Sequence, residues 1–76
     1  MADGGKSLQW FKDIGPVTLT RYERLYVWKQ DARIWRHVVI DDSLSADVTG
    51  AAYETKAEAL ATLPETAAAW DCRLAS

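Results

Sequence analysis

Alternation of apolar and polar positions is densest in the first half of the chain. Two runs rich in β-branched and aromatic residues, 19–29 and 34–41, flank Gln30-Asp31-Ala32-Arg33. Successive side chains of a strand point to opposite faces, so this pattern predicts a β-hairpin. Pairing Trp28 with Trp35 places Tyr22, Arg24, Tyr26, Trp28, Trp35, His37 and Val39 on one face. The other face then carries Leu25, Val27, Ile34, Val38 and Ile40, interrupted by Arg36. A small domain has one helix-covered core face to fill, and the aliphatic set suits it. The aromatic set is left as a candidate recognition surface.

Helical spacing appears twice more. Ser7 can cap a helical turn or two in which Leu8, Phe11 and Ile14 share a side, and Gly15-Pro16 ends it. A strand over residues 8–11 is the competing assignment. Thr55-Lys56-Ala57-Glu58 is a capping box, in which the threonine hydroxyl and the glutamate carboxylate satisfy the first backbone amides. Ala57, Leu60, Ala61 and Leu63 follow as a narrow apolar stripe. Pro64 interrupts it, and Thr62-Leu63-Pro64-Glu65 starts a second helical segment to about Trp70. Residues 41–50 read as a polar loop and residues 50–54 as a short third strand. Trp70 and Leu74 are expected to fold back on the core, and residues 71–76 form a fourth strand or fray. Residues 1–6 are small, polar and expected to be disordered. The fold class is therefore α+β. One domain spans residues 1–76, a small antiparallel sheet of three or four strands with one face covered by a C-terminal helix.

Composition narrows the class of partner. Four of the 76 residues are tryptophan, a residue of large buried area that is enriched at binding hot spots. Residues 1–40 hold seven basic and four acidic groups, net +3, whereas residues 41–76 hold two and seven, net −5. Such a dipole can orient an approaching partner. The overall charge of −2 argues against a dedicated nucleic-acid binder, which is strongly basic. The single cysteine, Cys72, cannot form an intramolecular disulfide, which fits a reducing cytoplasmic setting. No apolar run reaches the length of a membrane span, and the first residues lack the apolar core of a signal peptide.

Site chemistry is sparse. His37 is the sole histidine. It could serve as an acid/base group or pH sensor, but no second converging group accompanies it, and a hydrogen-bonding role is the plainer reading. Asp41, Asp42 and Asp47 do not match the alternating oxygen ligands of a calcium loop. Cys72 has no histidine beside it to activate a thiolate. Gly4-Gly5 and Gly15 lack the setting of a phosphate-binding loop. No catalytic residue, metal site or cofactor is expected. The aromatic face is the remaining candidate, with Tyr22, Tyr26, Trp28 and Trp35 as anchors and Arg24, Arg36 and His37 as polar contacts. Two structural alternatives stand beside it: Trp10 and Phe11 fold over this face as a second small core, or two copies of the chain bury it in a homodimer.

The order hairpin, loop, strand, helix, with Tyr53-Glu54-Thr55-Lys56-Ala57-Glu58-Ala59-Leu60 at the helix entry, resembles the three-strand-plus-helix arm-binding domain of phage tyrosine integrases. That resemblance spans residues 25–63 and implies a sheet docked in the major groove of DNA, with Arg24, Lys29, Arg33 and Arg36 near it. The chain departs in its few basic residues and its acidic second half. In size and acidity it is also similar to small phage inhibitors, including anti-CRISPR proteins, which implies binding to a host complex. The expectation is a non-enzymatic, phage- or mobile-element-encoded protein that modulates or inhibits a host macromolecular complex through its aromatic sheet face. Nucleic-acid binding by the same face is the alternative.

Overall fold

A computed structural model describes residues 5–75. Four strands form one antiparallel meander in the order β1 (Val17–Leu19), β2 (Leu25–Asp31), β3 (Ile34–Ile40) and β4 (Ala46–Val48). Helix α1 (Leu8–Asp13) precedes the sheet, and α2 (Lys56–Ala61) and α3 (Leu63–Ala69) follow it. The α+β class and the C-terminal helical cover are as the sequence predicts. Among the described residues, no helix is long and apolar enough to cross a membrane.

The hairpin register differs from the predicted one. Trp28 lies opposite Arg36, and Lys29 opposite Trp35, because the pairing shifts between Lys29 and Asp31. Gln30 is the extra residue of a β-bulge. The turn residues Ala32 and Arg33 do not have positive φ, so the turn is not of the primed types that match strand twist without a bulge. A one-residue slip moves every side chain of one strand to the other face. One face therefore carries Leu25 and Val27 with Trp35, His37 and Val39. The opposite face carries Tyr26 and Trp28 with Arg36, Val38 and Ile40.

Each face has its own cover. Leu25, Val27 and Val39 pack under Ala59, Leu63 and Ala67, with Tyr22, Trp35, Tyr53 and Cys72 around them. Val38, Ile40 and Ala46 pack under α1, with Trp10, Phe11, Tyr26, Trp28 and Val48 around them. The N-terminal segment thus folds over half of the predicted aromatic face and makes it a second small core. Ser7 caps α1 by accepting from the Trp10 amide at 3.1 Å. No residue of α1 is fully buried.

Other boundaries also shift. The expected single strand 19–29 is broken at residues 20–24, so Tyr22 and Arg24 lie in a turn. Thr20 shapes that turn: its hydroxyl donates to the Leu25 carbonyl at 2.7 Å and accepts from the Tyr22 amide at 3.0 Å. The C-terminal tail braces it through Glu23 N–H to Arg73 O and Ala75 N–H to Arg21 O, both 2.7 Å. Strand β4 falls inside the predicted polar loop, while the predicted third strand at 50–54 supplies only a bridge from Tyr53 to Trp35. The expectation of disorder at residues 1–6 lies, for 1–4, outside the described residues. Lys6 exchanges two backbone hydrogen bonds with Ala46.

The Thr55 box forms, with Thr55 Oγ1 accepting from the Glu58 amide and Glu58 Oε1 from the Glu54 amide. Its buried stripe is Ala59, Leu63 and Ala67, at i, i+4 and i+8; of the predicted Ala57, Leu60, Ala61 and Leu63, Leu63 alone is in it. Ala57, Leu60 and Ala61 face outward. The docking of α2 onto His37 sets this rotation.

Candidate functional site

His37 is fully buried and is the polar centre of the helix-covered core. Its Nε2 lies 2.7 Å from the Ala59 carbonyl and its Nδ1 2.7 Å from the Thr66 hydroxyl. A carbonyl can only accept, so Nε2–H donates to Ala59, and Nδ1 shares a hydrogen bond with the Thr66 hydroxyl, which it accepts when the ring is neutral. Ala59 O is one of the last carbonyls of α2, which lack partners within their own helix. His37 therefore joins β3 to both C-terminal helices at their junction, and its ring lies 4.9 Å from that of Tyr53, tilted by 33°. Both nitrogens are engaged, which leaves none to meet a partner or a substrate.

The other six candidates divide among three places. Tyr26 and Trp28 lie with Trp10 and Phe11 in a half-buried aromatic cluster under α1. Trp10 meets Trp28 edge-on at 5.6 Å between centroids, and Phe11 meets Tyr26 at 5.0 Å. Trp28 Nε1–H donates to the Ile14 carbonyl at 3.2 Å, tying the end of α1 to the sheet. Arg36, directly across from Trp28, donates through Nε to Gln30 Oε1 at 2.8 Å. Trp35 lies on the opposite face, under the Lys29 ammonium at 5.7 Å. Tyr22 packs at the margin of the helix-covered core, and Arg24 stands at the end of the sheet, paired with Asp42 at 2.6 Å.

Leu19 adds what the pattern missed. It lies opposite Tyr26 on the same face, at the end of edge strand β1, and is 79% exposed. Tyr26 is only half-buried beside it. Apolar surface therefore runs from α1 and the aromatic cluster to the open edge of the sheet. The missing signal was the turn at 20–24, which contains neither glycine nor proline and so hides the end of β1.

Away from this surface, a cleft of about 330 Å³ opens between the end of β3 and the end of α3. Val39, Ile40 and Ala69 line its apolar part. Trp70, 40% exposed, forms a wall. Arg24, Asp41, Asp42 and Asp71 surround it, with the Cys72 thiol between them. Burial pushes that thiol up from its usual value, which lowers its thiolate fraction. Asp41 Oδ1 accepts from the Ser43 hydroxyl (2.7 Å), the Ser43 amide (2.9 Å) and the Ser45 amide (3.0 Å). These donors, the Ser43 hydroxyl first, hold its carboxyl down at about 2. Desolvation, and then the neighbouring Asp41, hold Asp47 above the ordinary carboxylate range.

The two carboxylates act in opposite directions. The folded-state value of Asp41 is below its unfolded value near 3.8, so its stabilisation is complete above that value and is lost as pH falls towards 2. The raised Asp47 prefers its proton in the fold, so its ionisation weakens the fold as pH rises past 3.8. The urea midpoint should therefore fall between about pH 4 and pH 2, and Asp41→Asn should remove most of that decline. An unchanged acid decline in Asp41→Asn would show that Ser43 and Ser45 do not hold this carboxylate.

Among the described residues, no group of three histidine, cysteine, aspartate or glutamate side chains is placed to hold a metal ion. Comparison with protein-family models, with curated proteins and with solved structures finds no match to this chain.

Proposed function

We propose that this chain is a small non-enzymatic protein-binding module that engages its partner through the apolar surface formed by Leu19, Tyr26 and the cover helix α1. The observation that carries this reading is Leu19, 79% exposed and directly beside a half-buried aromatic cluster. Apolar surface that continues from a core to an open sheet edge is the kind a partner covers. The structural engagement of His37 and the raised thiol of Cys72 support the non-catalytic part of the reading. Modulation of a host complex by a phage- or mobile-element-encoded protein is the form of this proposal that the similarity in size and acidity supports.

Leu19→Glu is the discriminating variant. The side chain is exposed, so the change should alter stability by no more than about 0.5 kcal/mol, checked by urea unfolding. It should abolish capture of a protein partner from lysate, and that capture should survive nuclease. Undiminished capture by Leu19→Glu would overturn the surface, and light scattering would reveal a second copy as the occupant. The hairpin tip favours one other reading. Lys29 and Arg33 are exposed beside the half-buried Trp35, a pairing suited to stacking and phosphate contact with a single strand. Under that reading capture is lost with nuclease and falls steeply with salt.

A further inference from the structure

The cleft beside Trp70 lies on different residues from the Leu19–Tyr26 surface, and its chemistry is specific enough to name an occupant. We propose that it receives a single guanidinium-bearing side chain, an arginine of a protein partner, stacked on Trp70 and paired with Asp71 and Asp42. Three carboxylates and one guanidinium surround the cleft. The guanidinium, Arg24, is already bonded through Nη1 to Asp42 Oδ1. An anionic ligand would meet a net negative site whose one cation is neutralised. The remaining Asp42 oxygen and the whole Asp71 carboxylate make no hydrogen bond or ion pair among the described residues.

Shape and polarity point the same way. At about 330 Å³ the cleft is at the small end of the range for ligand sites, suited to one long side chain. Ala69, exposed at the end of α3, offers apolar contact to an aliphatic stem, as arginine stems take along apolar surface, while Val39 and Ile40, both buried, close the cleft at the end of β3. The Trp70 indole, 40% exposed, offers a π-face to a cation. Arginine fits better than lysine because its planar head can stack on an indole while donating in a fork to a carboxylate. The acidic second half of the chain would favour the approach of such a partner.

The test is an amide NMR titration of the full chain with N-acetyl-arginine amide, using N-acetyl-glutamine amide and N-acetyl-glutamate amide as controls. Saturable shifts are expected at Arg24, Asp42, Asp71, Cys72 and the Trp70 indole N–H, with the arginine probe alone. Asp71→Asn should weaken that binding by roughly threefold or more. Asn tolerates the left-handed φ of 56° at this position, so the variant removes charge without straining the turn. Trp70→Ala should remove the binding while the dispersion of the sheet amides persists. Equal shifts with the glutamine probe, stronger shifts with the glutamate probe, no saturation, or undiminished binding in Asp71→Asn would each overturn the assignment. None of these outcomes bears on Leu19→Glu, so this site and the proposed apolar surface can fail separately.

Discussion

His37→Ala should remove a large share of the protein's stability, with an expected loss of about 3–4 kcal/mol. A chain of this length has a total stability of roughly 4–11 kcal/mol. The substitution opens a cavity in the tightest part of the core, since the histidine is 0% exposed. It also leaves the Thr66 hydroxyl without its buried partner and the Ala59 carbonyl with the Thr62 hydroxyl alone, and a buried group left unpaired costs about 1–3 kcal/mol. Urea unfolding followed by far-UV circular dichroism measures the loss. His37→Phe separates the two terms, because it restores volume but not the hydrogen bonds, and should recover only part of the stability. A loss below about 0.5 kcal/mol in His37→Ala would place this residue at the surface, in the role the sequence pattern gave it.

Trp28→Ala should detach α1 without dissolving the sheet. The indole supplies the edge-on contact to Trp10 and the hydrogen bond to the Ile14 carbonyl. A half-buried tryptophan sets the cost at about 2–3 kcal/mol, below the range for a fully buried one. Helix α1 has six residues, none of them fully buried, and beyond Trp28 it is tied to the sheet by the Phe11–Tyr26 contact and the Lys6–Ala46 backbone bonds just before it. Hydrogen exchange should show the α1 amides losing nearly all protection while those of β2 and β3 keep theirs. Protection that falls equally in α1 and the central strands would mean that the aromatic cluster is part of one cooperative core. In either case Trp28→Ala changes structure, which is why the exposed Leu19, and not a tryptophan, is the residue on which to test partner binding.

These two experiments bracket the functional reading. Tryptophans on a strand suggest a contact surface, yet Trp28 and Trp35 point to opposite faces, and each already has a structural neighbour. The apolar surface still open to a partner includes the margin of the aromatic cluster at Leu19 and the cleft at Trp70. Both adjoin turns with unusual backbone. Arg24 and Asp71, at φ 62° and 56°, flank the cleft, and Arg24 closes the turn between β1 and β2. Neither is glycine, so their conformations are held by the surrounding contacts, including the tail that pairs with residues 21–23.

Local chemistry was sufficient wherever the determinants lie within a few residues of one another. The Thr55 box and the Ser7 cap are contacts within one helical turn, the break at Gly15-Pro16 and the proline in the first turn of α3 are backbone preferences of single residues, and all stand where the residues place them. The central hairpin and the α+β class follow from alternation and β-branching alone. Ala46-Asp47-Val48 shows the same alternation, in a stretch so short and polar that it passes for a loop. The register, the rotation of α2 and the division of the aromatic residues needed the tertiary structure. Register depends on whether one residue is bulged out, and both registers of residues 25–40 bury a usable set of side chains: one aliphatic, the other aliphatic with Trp35 and His37. The structure adopts the second because the buried histidine finds both of its partners, Ala59 and Thr66, on helices more than twenty residues away in sequence. A buried polar group is stable only when paired, and that pairing exists only in the assembled fold.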